Sequence, residues 1–501
     1  MSLTAPAGKA TFRRLGRETA IYGLGVILGR AVSFLMLPVY TRFLSPSDYG
    51  IIQLLDLTVD VAAIFFTAGA TSGVQRFYYK ASDPAARARL LSTTFFLVLT
   101  LSTLGALTLA AVSPWIWKYG LKEAGKPWFI MLAAANFAAG TLMTMPLNFA
   151  QTTQRARLYL GFSLSKLVLQ LSLNILFVVV LRQGVAGLLF STLITHLLLG
   201  GSLAIWLLRQ TGVHFDFNVV RDLRRFGVPY QLTWAGSFLL TFGDRFFLQV
   251  GWGVAAVGLY GMAYQFGFLL SQLGATPFLS AWNPHRHQLV SLPAAERDRR
   301  YDQGFFYFNL LLITVAMGIA VFIRPVIKVM TTVEFHPAAY LVPIILLAYV
   351  AEGWAEVFRF SFDVTEHTRY STYATWIVVV VVLVLYMVLI PRYGAYGAAI
   401  ATVLGFSLRA LLVRLWAQHL WPIRYRWRRH LSLLGLGFGV AAANWAIPDT
   451  PIIMQVSIGM LSVLAYLGSV YATLLSDEER QLIGQMVRAP ASAWATATRE
   501  S

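Results

Sequence analysis

The stretch Arg182-Gln183-Gly184-Val185-Ala186-Gly187 occurs a second time, 210 residues further on, as Arg392-Tyr393-Gly394-Ala395-Tyr396-Gly397. Each copy stands between two long apolar runs, and each contains two glycines three residues apart. Glycines at such a place suit a tight turn or the close approach of two helices. The recurrence indicates that one structural unit is present twice in this chain.

Two other motifs recur at nearly the same separation. Tyr49-Gly50 precedes an apolar run and returns as Val257-Gly258, and Thr153–Arg157 returns as Thr365–Arg369. Because all three pairs occur in the same order, they predict two homologous halves. In a chain that crosses a membrane many times, paired halves are typical of alternating-access transporters.

The composition is that of a membrane protein. Of its 501 residues, 57% are hydrophobic and only 12% are charged, which is more apolar than a soluble core requires. About 20 residues of apolar helix cross a hydrocarbon layer of roughly 30 Å. On that basis we predict 14 spans, near residues 18–41, 49–75, 88–113, 127–150, 157–181, 185–208, 226–250, 255–281, 302–323, 338–360, 372–391, 394–417, 430–447 and 452–475.

The distribution of charge predicts the topology. With the N-terminus inside, 28 of the 40 basic residues fall on the cytoplasmic side and 8 on the other. This is the positive-inside bias, so the net charge of +18 orients the chain and does not indicate a nucleic-acid partner. The loops are short and carry no phosphate-binding or metal-binding signature, and the chain has no cysteine. We therefore expect neither an enzyme nor a metal site.

The predicted order along the chain is simple. A cytoplasmic N-terminus, an N-lobe of six spans, a cytoplasmic linker, a C-lobe of six spans, two further spans and a cytoplasmic amphipathic tail occupy residues 1–17, 18–209, 210–225, 226–418, 430–475 and 476–501. An even number of spans in each half gives both halves the same orientation in the membrane. A capping box at Ser476 opens the tail.

Nine charged side chains fall inside predicted spans. The four bases and five acids are Arg30, Lys166, Arg245, Arg409, Asp56, Asp60, Asp244, Glu352 and Glu356. An ionised group at mid-depth costs about 2.5–3.5 kcal/mol on insertion scales, so it should face protein or a water-filled cavity. As a set, the nine predict a polar cavity lining. The alternative is that they are internal salt bridges that only hold helices together.

Four of the acids form two pairs with a spacing of four residues, one in the second predicted span and one in the tenth. Each pair shares a helix face, and two stacked carboxylates repel unless a cation or a proton lies between them. Arg30 is a candidate partner for the first pair. Arg359, three residues beyond Glu356, is a candidate for the second.

Four other polar residues in the N-lobe allow two interpretations each. His196 is either a packed histidine or a proton-coupling residue. Asn136, Gln170 and Asn174 either line the cavity or form hydrogen bonds across helices.

Two segments resemble a known family. The run Leu37-Pro38-Val39-Tyr40-Thr41-Arg42-Phe43-Leu44-Ser45-Pro46-Ser47-Asp48-Tyr49-Gly50, with Gly29-Arg30 before it, resembles the first-span signature of bacterial polysaccharide exporters. Gly243-Asp244-Arg245-Phe246-Phe247 followed by Val257-Gly258-Leu259-Tyr260 does so too. The chain is similar over its whole length to the Wzx-like lipid-linked oligosaccharide flippases of the multidrug/oligosaccharidyl-lipid/polysaccharide exporter superfamily. The resemblance implies an all-α, MATE-like fold of 6 + 6 + 2 spans.

The resemblance also implies a function. It implies a flippase that carries an undecaprenyl-pyrophosphate-linked sugar repeat across the bacterial cytoplasmic membrane, with membrane lipids, a polysaccharide polymerase and other assembly proteins as candidate partners. By this likeness Arg30, Lys166, Arg245 and Arg409 are candidates for engaging the diphosphate or acidic sugars. Acids slightly outnumber bases within the spans, which weakens a purely anion-attracting interpretation. It leaves a proton or a sodium ion as a coupling ion at the carboxylates, and no other cofactor is expected.

Two other functions compete with this one. A cation-coupled multidrug or metabolite antiporter of the same superfamily would use the carboxylate pairs and would lower the sensitivity of an efflux-deficient host to cationic dyes. A non-transporting scaffold for an assembly complex would tolerate neutralisation of Arg30, Arg245 and Lys166 together.

Overall fold

The computed structural model describes residues 36–481 except 82, 123 and 478. The predicted N-terminus, Arg30 with most of the first span, and the tail beyond residue 481 lie outside the described residues. The described helices are α1 Leu37–Phe43, α2 Pro46–Phe66, α3 Ala68–Thr71, α4 Val74–Lys80, α5 Pro84–Gly120, α6 Trp128–Thr152, α7 Ala156–Val180, α8 Gly184–Thr211, α9 Phe217–Phe242, α10 Asp244–Trp252, α11 Val254–Ser291, α12 Ala294–Met330, α13 Ala338–Val364, α14 Arg369–Leu420, α15 Trp427–Trp445 and α16 Ile452–Thr473.

The helices are those of a multi-pass membrane protein. Ten helical stretches in the described part of the chain are long and apolar enough to cross a membrane. The helix α9 and the helix α15 do not meet that measure, although both fall on predicted spans. The predicted total of 14 spans therefore stays a prediction.

The Arg-x-Gly-x-x-Gly repeat has the same backbone in both copies. Gly184 has φ +56° and Gly394 has φ +57°, a left-handed conformation that favours glycine. Gly394 breaks α14, so predicted spans 11 and 12 are two helical segments that meet there. A Cβ on Gly397 would stand 2.3 Å from the carbonyl oxygen of Leu389. The first glycine of the motif thus makes the turn, and the second allows close approach, as the sequence predicts.

The second repeated motif is also the same in both copies. Gln154 and Glu366 occupy equivalent places and have φ +57° and +58°. In each copy the next residue donates its N–H to the carbonyl five residues back, at 2.8 Å in the first copy and 2.9 Å in the second. Two stretches that differ in side chains thus keep the same helix end, which is expected of a duplicated unit.

The contacts among residues group the chain into two compact units. Unit 1 comprises residues 1–263, 328–341 and 372–405, and unit 2 comprises residues 264–327, 342–371 and 406–501. In unit 1 an apolar cluster that includes Phe95, Phe149 and Leu223 joins α5, α6 and α9. In unit 2 the fully buried Phe305 and Phe308 mark the inner face of α12. Each unit buries its own apolar core.

The predicted capping box after the last helix is present. The N–H of Ser476 donates to Glu479 Oε2 at 2.8 Å, and the N–H of Glu479 donates to Ser476 Oγ at 3.3 Å. The guanidinium of Arg429 donates to the same carboxylate, and the hydroxyl of Tyr307 donates to it at 3.2 Å. The end of α16 is therefore tied to α15 and α12 through a single carboxylate.

Glu479→Gln is expected to destabilise the protein in a pH-dependent way. Burial tends to raise the pKa of Glu479, but the N–H of Ser476 and the charge of Arg429 hold that pKa below its ordinary value of 4.5. A carboxyl group with a depressed pKa stabilises the fold above its unfolded pKa, and this stabilisation is lost as pH falls. The loss in Glu479→Gln should be about 1.5–3 kcal/mol near pH 7 and should shrink below pH ~4.5.

The melting temperatures of the wild type and the variant, followed from pH 7 to pH 3, measure this difference. Asp477→Asn is the matched control, because its side chain is 92% exposed and its ion pair with Arg480 is at the surface. An equal loss in Glu479→Gln at both ends of the pH range would contradict the assignment.

Candidate functional site

A cavity of about 700 Å³ lies within unit 1. Its described walls come from the second half of α2, from α3 and α4, from the end of α6 and from α9. Polar and aromatic side chains face it, including Asp60, Gln75, Asn148, Gln151, Trp234 and Ser237. The volume falls within the range of roughly 300–1,000 Å³ that is usual for ligand pockets.

Asp60 is the only titratable side chain among the described lining residues. It is exposed, and so is Asp56 one turn earlier on α2. Neither carboxylate makes an ion pair with another described residue within 4 Å, and Arg30 lies outside the described part of the chain. The described wall therefore carries a carboxylate and no basic group.

The Asp244–Arg245 pair lies next to the lining residues Thr241 and Phe242 and does not itself line the cavity. Arg245 Nη1 lies 2.9 Å from Asp244 Oδ1, and the two side chains are 1% and 0% exposed. The same guanidinium donates to the carbonyl of Thr241 at 3.1 Å and packs 5.0 Å from the ring centroid of Phe242. Thr241 and Phe242 line the cavity, whereas the ion pair does not.

The other oxygen of Asp244 binds two further elements. Asp244 Oδ2 accepts from the hydroxyl of Tyr260 at 2.5 Å and from the hydroxyl of Thr402 at 3.3 Å. Asp244 begins α10 directly after Gly243, where α9 ends. Its carboxylate therefore links the junction of α9 and α10 to α11 and α14. The pair is buried and compensated, and the contact of Arg245 with a ligand stays a prediction.

Arg409 is paired as well. In unit 2 it donates to Glu352, and its Nη2 lies 3.3 Å from Glu356 Oε1. Glu356 also lies 3.1 Å from Arg359, the partner that the sequence predicts. The contact between Glu356 and Arg409 on α14 has no local signal, because 53 residues separate them. One carboxylate oxygen, Glu352 Oε2, is buried and receives no hydrogen bond from the described residues.

Lys166 and His196 are both half-buried. A Cβ on Gly140 would stand 3.4 Å from His196 Cε1, so the ring packs against α6. His196 Nδ1 is buried with no hydrogen-bond partner in the described part of the chain. Neither residue is among the described lining of the cavity.

The three amide side chains of the N-lobe form hydrogen bonds across helices. Gln170 donates to the hydroxyls of Ser191 and Thr192 at 3.1 and 3.0 Å. Asn174 on α7 donates to the hydroxyl of Tyr40 on α1 at 2.6 Å. Asn136 on α6 donates to the carbonyl of Leu189 on α8 at 3.0 Å. This agrees with the second of the two interpretations above.

Two glycine crossings involve the helices that line the cavity. At the first, a Cβ on Gly50 would stand 1.9 Å from the carbonyl oxygen of Val254, and a Cβ on Gly258 would stand 1.9 Å from that of Pro46. The contact is reciprocal: Gly50 and Gly258 are the repeated glycines, and Pro46 and Val254 keep the same offset of 208 residues. The starts of α2 and α11 thus cross symmetrically.

The second crossing joins α3 to α9. A Cβ on Gly227 would stand 1.6 Å from the carbonyl oxygen of Gly69. Near it, the ring centroids of Phe77 and Phe226 are 5.9 Å apart, edge to face. The cavity residues of α2 and α9 come between the two crossings in sequence, whereas those of α4 follow Gly69.

Comparisons with known proteins agree with this fold. A sequence profile of the family described as "Polysaccharide biosynthesis protein" matches residues 15–290, which is more than half of the chain. No curated protein matches significantly. A solved structure of "Lipid II flippase MurJ, inward closed conformation" is similar with a TM-score of 0.71 and 13% identity, over 91% of this chain and 100% of that one.

Two solved structures of a multidrug resistance MATE family transporter of the MOP superfamily are similar too. The inward-facing one has a TM-score of 0.56 and 17% identity, over 78% of this chain and 94% of that one. The outward-facing one has a TM-score of 0.54 and 17% identity, over 80% and 95%. The predicted all-α, MATE-like fold is confirmed.

Proposed function

This chain belongs to the polysaccharide biosynthesis protein family, and on that premise we propose that it is a flippase. It carries undecaprenyl-pyrophosphate-linked oligosaccharide repeat units across the bacterial cytoplasmic membrane by alternating access, for surface polysaccharide biosynthesis. Its termini are cytoplasmic, in accordance with the charge bias. A polysaccharide polymerase and other assembly proteins are its proposed partners.

The observation that carries the proposal is the chemistry of the cavity. Sugars present hydroxyl groups that need both donors and acceptors, and flat faces of C–H groups that pack on aromatic rings. Amides such as Gln75, Asn148 and Gln151 supply both kinds of hydrogen bond, and the 57% exposed Trp234 supplies a ring face. One of the proteins with a similar fold is a lipid II flippase, which fits the same role.

Carboxylate oxygens that make no ion pair with the described residues supply a means of coupling. Asp56 and Asp60 share one face of α2, and their mutual repulsion favours uptake of a proton or a sodium ion. In unit 2, Glu352 Oε2 receives no hydrogen bond from the described residues and could likewise bind a proton or a sodium ion. We assign to these groups the uptake and release of the coupling ion.

Depletion of the protein in its source cell tests the function. Lipid-linked repeat units should accumulate on the cytoplasmic face while the amount of surface glycan falls. Complementation by Trp234→Ala should be weaker than by the wild type, by about fivefold in export rate, because a ring contact of this kind is worth on the order of 1 kcal/mol. Trp115→Ala is the matched control, since Trp115 is 67% exposed and lies outside this cavity. Unchanged levels of repeat units and of surface glycan would reject the flippase.

A cation-coupled multidrug or metabolite antiporter is the second candidate. The observation that favours it is the carboxylate in a cavity with no described basic group, which suits an organic cation. Expression in an efflux-deficient host should then lower the sensitivity to cationic dyes. No change across a panel of dyes, together with accumulation of lipid-linked repeat units on depletion, would decide for the flippase.

A further inference from the structure

The charge of the described cavity wall points to a particular class of glycan. Resting on the proposed function, we infer that this protein carries a repeat unit of neutral or amino sugars and that its cavity excludes acidic sugars. Three features carry the inference: the one carboxylate among the described lining residues, the compensation of the described basic groups nearby, and the neutral hydrogen-bonding groups around them.

Asp60 gives the described wall of the cavity its negative charge. A carboxylate on a sugar near Asp60 would meet a like charge in surroundings of low dielectric constant, which is unfavourable. An ammonium group of an amino sugar would instead form a charge-assisted hydrogen bond with it. The hydroxyl groups of a neutral sugar are accepted by the same oxygens. Asp60 therefore favours cationic over neutral, and neutral over anionic, glycans.

The basic groups close to the wall are directed away from it. Arg245 is 1% exposed, is paired with Asp244 and is covered by Phe242. Arg76, next to the lining residue Gln75, places its guanidinium 4.9 Å from the ring centroid of Phe226. No described basic side chain faces the cavity to offset Asp60. An acidic sugar would find no counter-charge on the described wall.

The remaining lining matches an uncharged glycan. Asn148, Gln151 and Ser237 each donate and accept hydrogen bonds without net charge. Trp234 offers its ring to the apolar face of a sugar, which does not depend on the charge of the substituents. Affinity for sugar in general thus comes from these residues, and the selection by charge comes from Asp60.

Three trisaccharides of equal length and different charge test the inference on the purified full-length protein. The probes are the trimer of N-acetylglucosamine, which is neutral, the trimer of glucosamine, which is cationic, and trigalacturonic acid, which is anionic. Isothermal titration calorimetry should give the tightest binding for the cationic trimer and the weakest for the anionic one, with about a tenfold difference between these two.

Two variants separate the contributions. Asp60→Asn should bring the cationic and neutral trimers to within about twofold of each other, whereas Trp234→Ala should weaken all three by a similar factor. Glu296→Gln, at an exposed surface carboxylate, is the matched control and should leave all three affinities unchanged.

Anionic binding as tight as neutral binding, a charge preference that survives Asp60→Asn, or no binding of any trimer would each overturn the inference. These results are distinct from failure of the proposed function. A protein that fails here can still cause lipid-linked repeat units to accumulate when it is depleted, and one that is no flippase would leave them unchanged.

Discussion

Gly258→Ala and Gly227→Ala are expected to shift the accessibility of the cavity in opposite directions. The new methyl group would stand 1.9 Å from the carbonyl oxygen of Pro46 in one variant and 1.6 Å from that of Gly69 in the other, and neither can stay closer than 3.0 Å. Each variant therefore separates the helices at one of the two crossings. Overpacking costs typically about 1–3 kcal/mol, which corresponds to a shift of about 5- to 150-fold in the balance between closed and open.

A single cysteine measures this shift, because the chain has none of its own. Ser237→Cys places the thiol in the cavity wall, and its reaction with a membrane-impermeant maleimide is followed in intact cells and in inverted vesicles. By the charge bias, Gly258→Ala should speed the reaction in cells, and Gly227→Ala should speed it in inverted vesicles. Export should fall in both variants, since alternating access requires each end to close in turn.

Gly251→Ala is the matched control, because nothing lies within 4 Å of the added methyl group. The Gly50→Ala/Gly258→Ala double variant should cost less than the sum of the single variants, since one separation of the helices relieves both contacts. Acceleration on the same side in Gly258→Ala and Gly227→Ala would show that the two crossings do not close opposite ends.

Arg409→Leu is expected to be the most destabilising single change in unit 2. It removes the partner of Glu352 and one of the two partners of Glu356 within a candidate membrane span. Breaking a buried ion pair by removing one partner costs about 3–5 kcal/mol, because a buried charge is left uncompensated. The yield of folded protein and the melting temperature in detergent should both fall sharply. Arg209→Leu, at an exposed arginine, is the matched control.

The triple variant Arg409→Leu/Glu352→Gln/Glu356→Gln separates stability from coupling. It leaves no unpaired carboxylate at the site, so it should recover most of the lost melting temperature. Export should stay low, because the triple variant has lost Glu352, one of the carboxylates to which we assign the coupling ion. Full recovery of export would show that the group only holds helices together. No recovery of the melting temperature would contradict the ion-pair account.

The sequence was sufficient for those features that depend on local backbone chemistry. A glycine with positive φ, a capping box and a long apolar run each depend on residues within a few positions of one another. Gly184 and Gly394 were therefore predictable, as was the closure of Ser476 on Glu479. The duplication was visible because both copies keep these local requirements although their other side chains have diverged.

The candidate site was only partly predictable. The nine charged residues stand out in the sequence because a charge inside an apolar run is costly. Which of them would face a cavity was not predictable from spacing. Asp60 faces it, whereas Arg245 is sealed behind Phe242 and Arg409 is held by two glutamates from another helix. The polar wall from α6 and α9 had no signal, because amides and hydroxyls are common in helices.

The sequence by itself thus determined a duplicated, all-helical membrane protein of a polysaccharide biosynthesis family. It also determined which residues make the turns and which charged residues fall inside the spans. What only the tertiary structure decided is the pairing of those charges and the crossing of Gly50 with Gly258. The physical reason is distance along the chain. Helix periodicity and turn chemistry act over a few residues, whereas a salt bridge or a helix crossing depends on groups that are brought together from about 50 to 200 residues apart.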